Sequence, residues 1–258
     1  MLKKRKVIIT GGSKGIGKSI ANKFAENNFE IFLLASNENN LKKTADEISQ
    51  KFKTLVHFCS SNLKTEKGCQ FAISQIRKKF NNFDTIIFCA GDTKSGIFEK
   101  QPISEYFDGF ALKYYSVVRL TQALWKNLKK SKGWMITING AMAHTPDPNF
   151  MVGGSVNAAL QNFTKALSKA GVLHGINVNS INPGMTSTER LISIIKSNAK
   201  RENISFAKSK NNALKAANLE RFSSPEEVAE IAYFLCQSNV RHLNGIEINL
   251  DGGKKPTI

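Results

Sequence analysis

The stretch Thr10-Gly11-Gly12-Ser13-Lys14-Gly15-Ile16-Gly17 narrows what this chain can become more than any other. It follows an apolar run, Val7-Ile8-Ile9, and precedes Ile20, Ala21, Phe24 and Ala25 at helical spacing. The pattern is strand, tight turn, helix. Glycines at such a turn let the backbone bend sharply and let a pyrophosphate approach main-chain N–H groups. The helix behind them adds partial positive charge at its N-terminus. The spacing G-x-x-x-G-x-G is one residue longer than the common dinucleotide fingerprint, so the rest of the chain has to supply the context.

That context is an alternation. Apolar strands are expected at residues 7–10, 31–35, 55–59, 85–90, 134–139, 177–181 and 245–250. Helical stretches lie between them, with apolar residues at i, i+3 and i+4 over 41–52, 69–80 and 156–170. Strands alternating with helices of this length call for a parallel sheet wound on both faces. No repeat or linker interrupts the 258 residues, which are read as one domain. Residues 186–221 break the rhythm, being polar, helical and long. In such a fold they belong at the carboxyl edge of the sheet, where ligands bind, as a lid.

Composition excludes several classes. No run reaches membrane-spanning length, and the basic start, Met1 to Lys6, leads into a strand rather than a secretory signal. Cys59, Cys69, Cys89 and Cys236 show no metal-ligand spacing, so they are read as reduced thiols of a cytoplasmic protein with no metal site. A net charge of +17 favours anionic partners, but the lysines are scattered and no nucleic-acid-binding module accompanies them. They are read as a solvated surface, and nucleic acid is not an expected partner.

Several further motifs occur in order. Phe88-Cys89-Ala90-Gly91 follows the fourth strand, and Asn182-Pro183-Gly184 with Thr188 follows the sixth. Arg221-Phe222-Ser223-Ser224-Pro225-Glu226-Glu227-Val228-Ala229 and Leu250-Asp251-Gly252-Gly253 close the chain. Together with the glycine loop, these make the chain resemble the short-chain dehydrogenase/reductase family over essentially its full length. The resemblance implies a Rossmann-type α/β fold, a doubly wound parallel sheet, and a nicotinamide cofactor. By the same resemblance the cofactor is held by Gly11, Ser13, Lys14, Ile16 and Gly17, by Ser36 and Asn37, by Asn62 and Leu63, by Ala90 and Gly91, and by Pro183, Gly184 and Thr188.

The end of the second strand selects the cofactor. An acidic residue there hydrogen-bonds the ribose 2′-OH, whereas a 2′-phosphate needs that acid absent and positive charge nearby. The stretch reads Leu34-Ala35-Ser36-Asn37, with no carboxylate until Glu38. Ser36 and Asn37 offer donors, and Lys14 offers charge. NADP is therefore expected in preference to NAD.

The family couples hydride transfer to proton transfer through Asn, Ser, Tyr and Lys. A Tyr hydroxyl, with its ordinary pKa near 10, needs a neighbouring ammonium to act near neutral pH. Gly153-Gly154-Ser155-Val156-Asn157-Ala158-Ala159-Leu160 is similar to the family's Y-S-A-S-K-A-A-L, with Gly153 at the Tyr position and Asn157 at the Lys position. The Ser position falls on Gly140 and the Asn position on Lys113. All four are replaced. No tyrosine has Lys four residues on. Tyr115 has Arg119 there, but lies about 200° round the helix from Lys113 and so faces away from the cleft.

Lys113 and His144 are the residues left to compensate, Lys113 as anion binder or proton donor and His144 as an acid/base with a suitable intrinsic pKa. A solvated lysine and an exposed loop histidine are the plain alternatives. Lys196, Lys200, Arg201, Lys208, Lys210 and Lys215 of the lid segment would meet an anionic group or simply face water. Three readings stay open. The chain is an oxidoreductase with an unusual proton donor, a catalytically silent NADP-binding sensor, scaffold or hetero-oligomer subunit, or an anion- or nucleic-acid-binding protein that keeps only the fold. The ligand is a small-molecule substrate or effector, with anionic character allowed. The resemblance also implies a homo-oligomer, dimer or tetramer, through the helices over 104–128 and 156–170.

Overall fold

The computed structural model describes residues 4–254. Seven strands form one parallel sheet: β1 (Lys6–Thr10), β2 (Glu30–Ala35), β3 (Val56–Ser60), β4 (Thr85–Phe88), β5 (Trp134–Ile138), β6 (Asn177–Pro183) and β7 (Glu247–Leu250). Their order is β3-β2-β1-β4-β5-β6-β7, with every neighbouring pair parallel. The order reverses between β1 and β4, and the crevice at the carboxyl ends of those strands is where such sheets bind ligands.

Alternation along the strands builds the two layers. Val7, Ile9, Ile31, Leu33, Ile87 and Ile136 face one side and pack with α1 (Gly15–Glu26), α2 (Glu38–Phe52) and α9 (Pro225–Phe234). Ile8, Phe32, Leu34, Ile86, Phe88 and Met135 face the other and meet α3 (Glu66–Lys79), α5 (Ser116–Ser131) and α6 (Met151–Val172). β1, β2, β4 and β5 are buried on both faces and accordingly read as near-continuous apolar runs, whereas β3, β6 and β7 also carry polar residues such as His57, Asn179 and Asn249.

The edges of several elements differ from the sequence reading for local reasons. The fourth strand stops at Phe88 rather than residue 90, because the N–H groups of Cys89 and Ala90 donate to Thr10 Oγ1, each at 3.1 Å. The sixth continues to Pro183, which sits opposite Leu250, while Gly184 N–H donates to Leu250 O at 2.9 Å. The expected helix over 104–128 is interrupted. It comprises α4 (Ile103–Phe110), a π-helical turn (Ala111–Tyr115) and α5. The break falls on Lys113, and single π turns are frequent at functional sites. Residues 186–221 contain α7 (Glu189–Arg201) and α8 (Phe206–Ala216), capped by Thr188 and Ser205. No helix among the described residues is long and apolar enough to cross a membrane.

Candidate functional site

The glycine loop is a cradle built by close approach. Gly11 has φ +68, and a Cβ there would fall 2.9 Å from Ala90 N. A Cβ on Gly17 would fall 2.2 Å from Gly11 O, so the loop folds onto the first turn of α1 with no room for a side chain. No side chain caps α1 and its first turn holds no acid, whereas neighbouring α2 is capped by Asn37. The first N–H groups of α1 therefore lack a side-chain partner and face the crevice with a positive dipole end behind them. This is the geometry a pyrophosphate needs, and the residues present fit a dinucleotide.

The other expected cofactor residues ring the same crevice, with two qualifications. Thr44 Oγ1 donates to Ser13 O at 2.9 Å and ties α2 to the loop. Lys14, Ser36 and Asn37 are exposed beside it. Asn37 Oδ1 accepts from Asn40 N at 2.8 Å, so only its Nδ2 remains for a ligand. Asn62 is exposed after β3, but the Leu63 side chain is buried in the core, which leaves only its backbone to meet a base. Thr188 brings the segment after β6 back to the loop, since a Cβ on Gly15 would meet its Cγ2 at 3.3 Å. Ala90 and Gly91 line the β4 side, and Pro183 and Gly184 the β6 side.

Of the four positions where the family's catalytic set is expected, Gly140 meets Asn157, Lys113 reaches the residue before Gly140, and Gly153 lies one turn before Asn157 on α6. Gly153 lies in the first turn of α6, where an ideal Cβ would sit 1.9 Å from Cε1 of Phe150 and 2.1 Å from its Cζ. The Phe150 ring thus covers the position from which a tyrosine would project. A Cβ on Gly140, at the end of β5, would fall 2.8 Å from Asn157 Nδ2. Asn157 is itself buried, and its Oδ1 has no hydrogen-bond partner among the described residues. Both amide atoms of buried Asn139 are likewise unpartnered there. Such groups call for water or a ligand.

Lys113 reaches in from the π turn and donates from Nζ to Asn139 O at 2.8 Å. Burial lowers its pKa from 10.5 to about 8, the guanidinium of Arg190 adds to the lowering, and Cys89 opposes it. Cys89 is pushed up to about 12 by its own burial, so the thiol stays protonated. Arg190, in the first turn of α7, donates to Thr93 O and, at 3.5 Å, to Gly91 O. Its nearest carboxylate oxygen, on Asp92, is 4.0 Å away.

His144 does not join this group. Its Nε2 lies 2.5 Å from Glu247 Oε1 on β7, two strands beyond β5, and Asn182 Nδ2 also donates to that carboxylate. Tyr115 is half exposed with the Arg119 guanidinium over its ring at 5.7 Å. The lid lysines and Arg201 are exposed. Sequence reasoning missed Phe150, Asn139 and Arg190. Only Arg190 carried a local signal, being two residues beyond Thr188 at a helix start.

Residues 5–199 match the family model described as short chain dehydrogenase. The chain is 26% identical to the 3-oxoacyl-[acyl-carrier-protein] reductase of Aquifex aeolicus, covering 95% of each chain. It is also 26% identical to the NADPH-dependent reductase BacG of Bacillus subtilis, covering 100% of each. Among solved structures, L-sorbose reductase of Gluconobacter frateurii complexed with NADPH and L-sorbose superposes with a TM-score of 0.95 at 26% identity, over 99% of this chain and 98% of that one.

Proposed function

The chain belongs to the short chain dehydrogenase family, and from that premise we propose that it binds NADP(H) and has lost ordinary ketone–alcohol hydride transfer. The cofactor would supply the hydride when bound. This chain's part is to hold and orient it through the glycine loop, Ser36, Asn37 and Thr188. Two similar proteins are NADPH reductases or NADPH complexes by name, which supports NADP over NAD. So does the exposed, acid-free end of β2 beside Lys14.

The observation that carries the reading is the contrast between the two halves of the cleft. The nucleotide cradle keeps glycine at Gly11 and Gly17, where the backbone leaves no room for a side chain, whereas the Phe150 ring and the Asn157 amide fill the space above Gly153 and Gly140. Loss of a positioned acid/base alone costs about 10²–10⁴-fold in rate. The protein then acts as an NADP-responsive sensor, scaffold or subunit, with residues 186–221 closing over the cofactor as a lid. Its four free cysteines suit a reducing, cytoplasmic setting. Exposed Ile103, Phe107 and Tyr115 on the α4–α5 stretch support self-association there.

A second reading retains turnover with Lys113 as proton donor. Its ammonium stands at the corner and titrates near about 8. His144, committed to Glu247, is not carried forward in that role.

Titration with NADPH and NADH by fluorescence or calorimetry, followed by a ketone panel, tests both. Saturable NADPH binding, tighter than NADH, with negligible turnover supports the first reading. No binding to either cofactor removes it. Robust turnover that disappears in Lys113→Ala would establish the second.

A further inference from the structure

The catalytic corner holds two cations that lack a close counter-ion. Lys113 Nζ has the Asn139 carbonyl as its acceptor and takes part in no ion pair within 4.0 Å among the described residues. Arg190 reaches the same loop from the opposite wall. Both converge on Gly91: a Cβ there would lie 3.7 Å from Lys113 Nζ, and Gly91 O accepts from Arg190 at 3.5 Å. The Asp92 carboxylate, three-quarters exposed, is 4.0 Å from Arg190 Nη1, the limit of an ion pair.

A partly buried ammonium facing a guanidinium is unfavourable on both counts, desolvation and like-charge repulsion. An anion between them relieves both, and Arg suits carboxylate or phosphate through its planar fork of donors. The surroundings restrict what carries that anion. The Phe150 ring replaces the polar tyrosine on the α6 side, and neither Gly140 nor Gly153 projects a side chain. Phe150 thus offers an aromatic face at the start of α6, and Gly91, Gly140 and Gly153 leave the intervening backbone without side chains.

We propose that the corner binds a small molecule with a carboxylate or phosphate group, held between Lys113 and Arg190, and an apolar planar body lying against Phe150. The proposal rests on the cleft being the ligand-binding site of the preceding reading, and it names the class of ligand that joins the cofactor there. The two cations serve as binding residues whether or not a reaction follows.

Calorimetric titration with benzoate, phenyl phosphate and the neutral isostere benzamide tests this, on the protein alone and with saturating NADPH. At least one anion is expected to bind ten-fold or more tightly than benzamide, and the tighter of the two identifies the head group. Lys113→Met and Arg190→Met should each weaken that anion at least ten-fold while leaving the NADPH affinity within about three-fold. Lys78→Met, on the exposed last turn of α3, controls for the general charge of the surface and should change nothing. Equal binding of benzamide, or equal losses in the Lys78→Met control, would overturn the proposal. Anion binding that persists in a protein unable to bind NADPH would sink the cofactor reading and leave this one standing.

Discussion

The ring of Phe150 lies where a side chain on Gly153 would have to begin, 1.9 Å from the ideal Cβ. The position where the family's tyrosine is expected is therefore filled and not merely empty. A buried glycine beside an aromatic residue one turn earlier forms a packed unit, and its atoms occupy the position from which a proton donor would reach a substrate oxygen. Asn157 Nδ2 does the same over Gly140, 2.8 Å from the ideal Cβ.

Restoring the family's residues should consequently fail unless the filler is removed. Lys113→Asn, Gly140→Ser, Gly153→Tyr and Asn157→Lys together are expected to leave NADPH-dependent ketone reduction at the parent level. Adding Phe150→Ala should then raise the rate by about 10²–10⁴-fold, the contribution of a positioned acid/base. NADPH consumption on a ketone panel measures both. Full activity in the four-fold variant with Phe150 intact would show that the ring yields freely.

The glycine cradle gives two graded outcomes. In Gly17→Ala the new methyl meets the Gly11 carbonyl at 2.2 Å, a contact with backbone that no rotamer relieves. A loss of about 1–3 kcal/mol of stability is expected, together with loss of NADPH binding. Gly11→Ala suffers both φ +68, costing about 1–2 kcal/mol, and the Ala90 backbone at 2.9 Å. Thermal unfolding and fluorescence titration on the same samples read the two effects. Wild-type NADPH affinity in either variant would show that the nucleotide does not use this turn.

Cofactor preference should turn on a single charge at the end of β2. Ala35 is the last residue of that strand, followed by exposed Ser36 and Asn37. Ala35→Asp places a carboxylate where a 2′-phosphate is proposed to lie. A pair of like charges at a solvent-exposed site costs about 1–4 kcal/mol at contact distances. The NADPH-to-NADH affinity ratio is expected to fall at least ten-fold, measured by competitive titration. An unchanged ratio would place the adenine ribose elsewhere.

The parts of this molecule that could be read in advance are those governed by local pattern. Apolar runs located β1, β2, β4 and β5, which are covered on both faces, and the alternation of strand and helix located the more polar β3, β6 and β7. The glycine loop announced itself through residues that only a tight turn and a close approach require. Gly140, Gly153, Asn157 and Lys113 were legible through the family resemblance, whose motifs and spacing mark them as the expected places of Ser, Tyr, Lys and Asn. What replaced them was not legible. The place of the Phe150 ring depends on how the chain enters α6, and the amide of Asn157 depends on its rotamer. Arg190 meets Gly91 and Thr93 across 99 and 97 residues of sequence, which no local pattern reports. The pairing of His144 with Glu247, 103 residues on and two strands away from β5, is another contact that no local pattern reports. The π turn over Ala111–Tyr115 escaped because the helical template assumes an unbroken period.

Lys113 separates stability from ligand binding, and the sign of its pH dependence follows from its position. Its pKa falls from 10.5 in the unfolded chain to about 8 in the folded protein, with burial as the leading cause. Below about pH 8 both states carry the proton, and the folded state bears the full cost of a desolvated ammonium. Between about 8 and 10.5 the unfolded chain holds more protons than the folded one, so this residue's contribution to stability rises with pH. Lys113→Met keeps the apolar stem and removes the charge. It should therefore raise the melting temperature at pH 7, by an amount equivalent to about 1–3 kcal/mol. The advantage over wild type should shrink as pH climbs through that window and vanish above it. Melting curves of both proteins from pH 6 to 11 provide the test. A destabilised variant at pH 7 would mean that the hydrogen bond to Asn139 outweighs the desolvation of the charge. A gap that ignores pH would mean that the ammonium is not the cause.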